Sequence, residues 1–353
     1  LFFFFIMYNN DGGNDMIIPK FVKKKSVIGV VAPSDGADNE LKVKRFKNAC
    51  KKLESLGYKV KFSDNVFNSF MGRSTSEEQR ATEFNEMVND KKVDLIMCAS
   101  GGEFLLEILP YIDFELLKNN PKFVCGFSDP TGLLYPITTK CDIATIYGKN
   151  FSNFGMEEYH KSEKDFLEII NGNIIEQDSY EKYEDVYPEK VTGLESYNLD
   201  SDVRWMTVND EDVFIKGRII GGCFDIISDL AGTKYDGINE FNEKYKNDGI
   251  IWYFDNCEKS MDDVIRILWK FNELGYFKYA KGIIFGRFGK EVSNTYENVI
   301  DCLKDSVISK LDIPIIYNAD VSHKGPCLNI INGVITEVEV KNHKGKIKFE
   351  VFE

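Results

Sequence analysis

Phe123-Val-Cys-Gly-Phe-Ser-Asp-Pro-Thr131 reads as a buried strand, a sharp turn and the opening of a helix. Phe123-Val-Cys125 is apolar, Gly126 to Asp129 supplies the turn, and a helix follows from about Pro130. Proline suits the first helical turn because its missing N–H has no partner there. The same strand–turn–helix grammar recurs upstream. Val27-Ile-Gly-Val-Val-Ala32 ends in the turn cluster Pro33–Gly36, and a helix spans about Glu40 to Leu56, with Gly57 placed to close it. Lys59–Phe62 is a strand, and Ser76 opens a helix with capping chemistry. Val93–Ala99 is a buried strand followed by Ser100-Gly-Gly102 and a helix through Ile108. Strands alternating with helices predict an open, mostly parallel sheet with flanking helices. Ligands bind such sheets beyond the carboxyl ends of the strands. The loops Pro33–Gly36, Ser100–Gly102 and Gly126–Asp129 gather at that edge.

A second α/β pattern starts at Val213 and includes Gly249–Phe254, a helix over about Ser260 to Leu274, Gly282–Phe285 and Ile313–Ile316. Ile335 to Phe352 alternates around a glycine-containing turn and reads as a hairpin. Four segments result: 1–15 a disordered leader, 16–155 an α/β domain, 156–211 a charged linker with surface elements, and 212–353 a C-terminal mixed α/β domain. The length of 353 residues accommodates two domains of roughly 100–200 residues each.

A net charge of −13 and no Lys/Arg run longer than Lys23-Lys-Lys25 argue against a nucleic-acid or membrane-surface role. Eight cysteines without a C-x-x-C pair read as small buried hydrophobes, as expected in a reducing cytoplasm.

Ser128 has two readings. Serine is a common helix cap. A serine on a strand-to-helix turn can also be a nucleophile, with the N–H of Asp129 placed to stabilise an oxyanion. Such a serine needs a base, and the chain has three histidines. His160 lies on a charged, solvated helical face and His343 in a hairpin turn, whereas His323 follows an apolar strand. By elimination His323 is the base candidate. Asp255, ending the strand before Asn256, is either a cap or the acid that orients the base, with Asp129 and Glu258 as competitors. Ser100 and Gly101 can contact substrate, and the Ser100–Gly102 turn can cradle a phosphate or donate to an oxyanion. Gly221-Gly222 reads as close packing.

Taken in order, six pieces resemble the serine LD-carboxypeptidases, a family that includes the microcin C immunity proteins. They are Ile17-Ile-Pro-Lys20 with Ile28–Ser34; Gly101–Asp113; Pro121–Thr131; Gly217–Gly222 with Gly232-Thr233; Trp252–Glu258; and Asp320-Val-Ser-His-Lys-Gly-Pro326. The resemblance covers about residues 16–340. It implies a two-domain fold with the site between the domains, Ser128 as nucleophile, His323 as base, Asp255 as the acid and the Gly102 and Asp129 N–H groups as oxyanion donors. It also implies a homodimer that needs no metal or cofactor. The family's usual acid is Glu, one methylene longer than Asp255. Its His-Gly-Pro is replaced here by Tyr147-Gly-Lys149, so substrate contacts there are expected to differ. Three functions follow as expectations: release of the terminal D-Ala from a muropeptide tetrapeptide, hydrolysis of aminoacyl-nucleotide analogues, and non-catalytic binding by the same fold.

Overall fold

The computed structural model describes residues 16–173 and 176–351, so the expected leader, 1–15, lies outside the described residues. Five parallel strands lie in the first sheet: β1 (Val27–Val31), β2 (Lys59–Phe62), β3 (Leu95–Cys98), β4 (Phe123–Gly126) and β5 (Thr145–Tyr147). Their spatial order is β5-β4-β3-β1-β2. Every residue of β3 and β4 is buried, as continuous apolar runs in a parallel sheet covered on both faces should be. The helices Glu40–Ser55 and Glu77–Asn89 are capped by the side chains of Asn39 and Ser76.

The second sheet has a parallel centre, Val213–Cys223, Ile250–Asp255, Ala280–Gly286 and Ile315–Ala319, with antiparallel strands at both flanks. All six residues of Ile250–Asp255 are buried. Trp252 stacks on Tyr276 with ring centroids 5.3 Å apart, and Phe224 packs edge-on to Phe254. The helix Met261–Glu273 is capped by the Ser260 side chain, and Gly275 beyond it takes φ +83°. At the Gly221-Gly222 pair a Cβ on Gly221 would lie 1.9 Å from the Tyr253 carbonyl oxygen, so the pair permits close packing.

The two sheets are stitched together. Ile330–Asn332, downstream of His323, leaves the second sheet and pairs antiparallel with β5 in the first. The Cys223 N–H donates to Thr131 Oγ1 at 2.9 Å, tying the second sheet to the helix Thr131–Cys141.

Three expectations need correction. Residues 156–211 are more than a linker with surface elements. They form the helix Lys161–Ile170, give the strands Glu176–Asp178 and Met206–Thr207 to the flanks of the second sheet, and bury Trp205 completely. Charged residues obscured this in the sequence because Glu163 is buried against Lys149 rather than solvated. The helix after Gly102 is a 3-10 turn, Leu105–Tyr111, with Pro110 inside it. The hairpin turn is Asn342-His343, both at positive φ, as a two-residue primed turn requires. Gly345 sits instead within a strand, where a Cβ would lie 2.2 Å from the Trp205 ring.

Trp205 cannot yield easily, because its Nε1–H donates to the buried Asp320 carboxylate at 3.0 Å. Gly345→Ala should therefore destabilise the protein by about 1–3 kcal/mol. A denaturant midpoint equal to that of the parent would contradict this account.

Candidate active site

Beyond the carboxyl end of β4 the chain turns so sharply that Ser128 adopts φ +72°. A Cβ on Gly126 would lie 2.4 Å from Pro130 Cβ, so glycine is needed for the helix to double back. The cap reading of Ser128 does not hold: Pro130 occupies the cap position, without a side-chain cap bond. The Ser128 hydroxyl is directed at His323, with Oγ 2.8 Å from Nε2.

Asp255 ends its strand fully buried. Its Oδ1 lies 2.9 Å from His323 Nδ1 and accepts from the His323 backbone N–H at 3.0 Å. The shorter acid thus leaves no gap, because the histidine loop closes onto it. An ionised carboxylate only accepts, so in the neutral imidazole Nδ1 carries the proton and Nε2 is left to accept from Ser128. The second oxygen, Oδ2, accepts from the Tyr147 hydroxyl at 2.6 Å. The loop holding His323 is itself fixed. Ser322 Oγ donates to the Arg287 carbonyl at 2.7 Å, and Arg287 pairs with the buried Asp320 at 2.7 Å. The Phe127 ring packs 4.7 Å from the imidazole, centroid to centroid.

Burial opposes charge on His323, but Asp255, by charge and hydrogen bond, and Cys257 outweigh it, leaving the imidazole well above its ordinary value near 6.5. The rim is acidic. Burial pushes the Glu103 carboxyl up, and the charges of Glu258 and Asp225 add to that. Of the competing acids, Asp129 is engaged elsewhere: it accepts from the Ser34 hydroxyl and from the Leu105 N–H at 3.0 Å. The Glu258 backbone N–H donates to Asp225 at 3.1 Å.

Gly101 lies against the serine: a Cβ there would be 3.2 Å from Ser128 Cβ. A Cβ on Gly102 would meet Ser34 Oγ at 2.2 Å. Ser100 donates to the Asp35 carbonyl at 2.8 Å and lines a cavity of about 510 Å³ with Arg45, Phe46, Met156, Tyr187 and Tyr197. His160 is not on a solvated face. Its Nδ1 accepts from the Ser162 N–H at 3.1 Å, capping the helix, while its ring meets Tyr180 edge-on. His343 sits in its hairpin turn, with its carbonyl accepting from Trp205 N–H at 3.0 Å.

Sequence reasoning missed Tyr147 and Tyr187, whose hydroxyl donates to the His323 carbonyl at 3.0 Å. The signal for Tyr147 was its place at the carboxyl end of β5. Lys149 is buried, 3.1 Å from Glu163, and donates to the Cys327 carbonyl at 3.1 Å. Among the described residues no group of three or more His, Cys, Asp or Glu is arranged to hold a metal ion.

The family model described as the LD-carboxypeptidase N-terminal domain matches residues 28–148, and that of the LD-carboxypeptidase C-terminal domain matches residues 216–338. A protein of Treponema pallidum (strain Nichols) is 29% identical over 323 residues, covering 89% of this chain and 90% of that one. The Escherichia coli protein named Microcin C7 self-immunity protein MccF is 24% identical over 322 residues, covering 84% of this chain and 86% of its own length. The crystal structure of an MccF-like protein from Bacillus anthracis str. Ames superposes with a TM-score of 0.80 at 27% identity, covering 94% of this chain and 99% of that one.

With three histidines, single-residue titration by NMR is practical. The His323 ring should titrate well above 6.5 and His160, lowered by burial, below it. Asp255→Asn should bring His323 down, and an unmoved His323 titration would contradict the pairing described above.

Proposed function

The chain belongs to the LD-carboxypeptidase family, and we propose that it is a serine peptidase that hydrolyses an L,D-peptide bond to release the terminal D-Ala of a muropeptide tetrapeptide. The observation that carries the reading is the continuous run of short contacts from Ser128 Oγ through the His323 ring to Asp255. In this mechanism Nε2 takes the hydroxyl proton as Oγ attacks the carbonyl carbon. Asp255 holds Nδ1–H and offsets the charge the imidazole gains. The tetrahedral oxyanion is held by the N–H groups of Asp129 and Gly102, each such donor contributing about 3 kcal/mol to the transition state. The imidazolium then returns its proton to the departing amine, and water attacks the acyl-enzyme by the same route.

Two features favour these amides as donors. Among the described residues neither N–H donates to a protein acceptor. The Asp129 carboxylate, by binding Ser34 and the Leu105 N–H, also pins both loops that frame Ser128. Ser100 and Gly101 would contact the substrate. The same reading takes the chain to act as a cytoplasmic homodimer. Among the described residues no helix is long and apolar enough to cross a membrane.

A second reading, hydrolysis of an aminoacyl-nucleotide analogue by the same three residues, is favoured by the similarity to the self-immunity protein. Incubating the chain with a muropeptide tetrapeptide and, separately, with an aminoacyl sulfamoyl adenylate decides between the two.

Ser128→Ala and His323→Ala should each lower turnover by roughly 10⁴-fold or more; Ser128→Ala should leave the melting temperature close to that of the parent, whereas His323→Ala, which takes the ring partner from the buried Asp255, should lower it. Full activity in either variant refutes the mechanism. Turnover in the parent should rise with pH through an acid limb well above 6.5, because His323 must be neutral to act as base and its charged form is favoured in the fold. A limb at or below the ordinary histidine value would contradict that order.

A further inference from the structure

Tyr147 stands where the sequence departs from the family's His-Gly-Pro, and the mechanism above gives it no task. It ends β5 in the first sheet and is fully buried. Its hydroxyl donates to Asp255 Oδ2 at 2.6 Å, across the boundary between the two sheets. His323 takes the other oxygen, Oδ1, for both its ring and its backbone N–H. The same hydroxyl lies 3.4 Å from the Ser128 N–H. One phenol therefore touches the segment that bears the serine and the acid that orients the histidine. Burial, with the charge of Asp255 adding to it, pushes the phenol well above 10, so it remains a donor.

We propose that Tyr147 is a positioning residue that fixes the Asp255 carboxylate against His323 and sets the register of Ser128 between the two sheets. The inference rests on the serine mechanism above. A carboxylate one methylene shorter than the family's usual acid reaches less far from its own sheet. The long tyrosine side chain reaches it from the other sheet, holding Oδ2 so that Oδ1 is free for the histidine. Two consequences follow for the Asp255–His323 pair, which titrates as a unit. Removing the donor disfavours the ionised carboxylate beside a neutral imidazole. Protonating either partner then becomes easier, and the pair's apparent pKa rises. Strengthening the donor does the reverse.

Other titratable groups also face the pair: Cys223 and Cys327, Tyr253, Tyr187, Glu103 and Cys257. Burial holds the first four up and neutral, with nearby carboxylates reinforcing this for Cys223 and Tyr187. Glu103 and Cys257 are the same in every chain compared below, so their contribution cancels.

The test is the rate at which a fluorophosphonate probe labels Ser128 in the full chain, measured across pH. The chains are the parent, Tyr147→Phe, and the parent with 3,5-difluorotyrosine at position 147. Labelling of the parent, lost in Ser128→Ala, isolates the serine mechanism from the role of Tyr147. If the parent is not labelled, it is the mechanism that fails. In Tyr147→Phe labelling should slow at least about tenfold at neutral pH, and its acid limb should move up by about one to two units, the shift expected from losing one charge-assisted hydrogen bond. In the fluorinated chain, whose phenol is a stronger donor, the limb should move down. A labelled parent with an unmoved limb in both chains overturns the proposal. So does uniform slowing at all pH values, the signature of a purely structural role. If the phenylalanine chain does not fold, the fluorinated chain alone decides by the direction of its shift.

Discussion

A carboxylate removed from water must find donors or lose its charge. Asp255 is such a group, and the site is organised around satisfying it. Its three donors are the His323 ring, the His323 backbone and the Tyr147 hydroxyl. They come from both sheets, so the halves of the protein cannot part without stranding a buried charge. Removing one partner of a buried ionic pair costs about 3–5 kcal/mol, comparable with much of a domain's stability. A second buried pair, Arg287 with Asp320, repeats the arrangement one layer out. Its carboxylate also receives Trp205 and the Tyr180 N–H, so the histidine loop is held to the segment 156–211 that supplies the flanking strands of the second sheet.

The serine side is organised by backbone instead. A residue other than glycine in the left-handed region costs of order 1–3 kcal/mol and persists only where its surroundings dictate it. At Ser128 they do: Gly126 lets Pro130 fold back, and the Thr131 N–H returns to the Ser128 carbonyl at 2.9 Å. Asp129 then locks the neighbouring loops through Ser34 and Leu105. Strain sits on one side of the cleft and charge on the other, each with its own support.

Much of this was legible in the residues. The central strands β3 and β4 are uninterrupted apolar runs, and the cap at Ser76 and the glycine at 275 obey local rules, so their elements were readable in sequence. Ser128, His323 and Asp255 were reachable because few histidines and few strand-end acids compete. What stayed hidden was set by distant partners. Glu163 looked solvated because its counter-ion Lys149 lies fourteen positions away and is itself buried. Gly345 looked like a turn residue because nothing local announces the Trp205 ring above it. Tyr147 looked like a mere departure from a motif because the carboxylate it binds lies on another sheet.

The strand Ile330–Asn332 carries a consequence for how the chain comes to be folded. Until it arrives, β5 is the bare margin of the first sheet, with Thr145-Ile-Tyr147 offering unpaired backbone. About 180 residues separate the two strands, and at about 5–20 residues per second a ribosome takes roughly 10–40 s to make them. Throughout that interval the nascent serine half presents a sticky rim to its neighbours on the same messenger. The piece that finally seals the rim is the continuation of the loop that brings the histidine, so the loss of that hazard and the assembly of the reactive centre coincide in time.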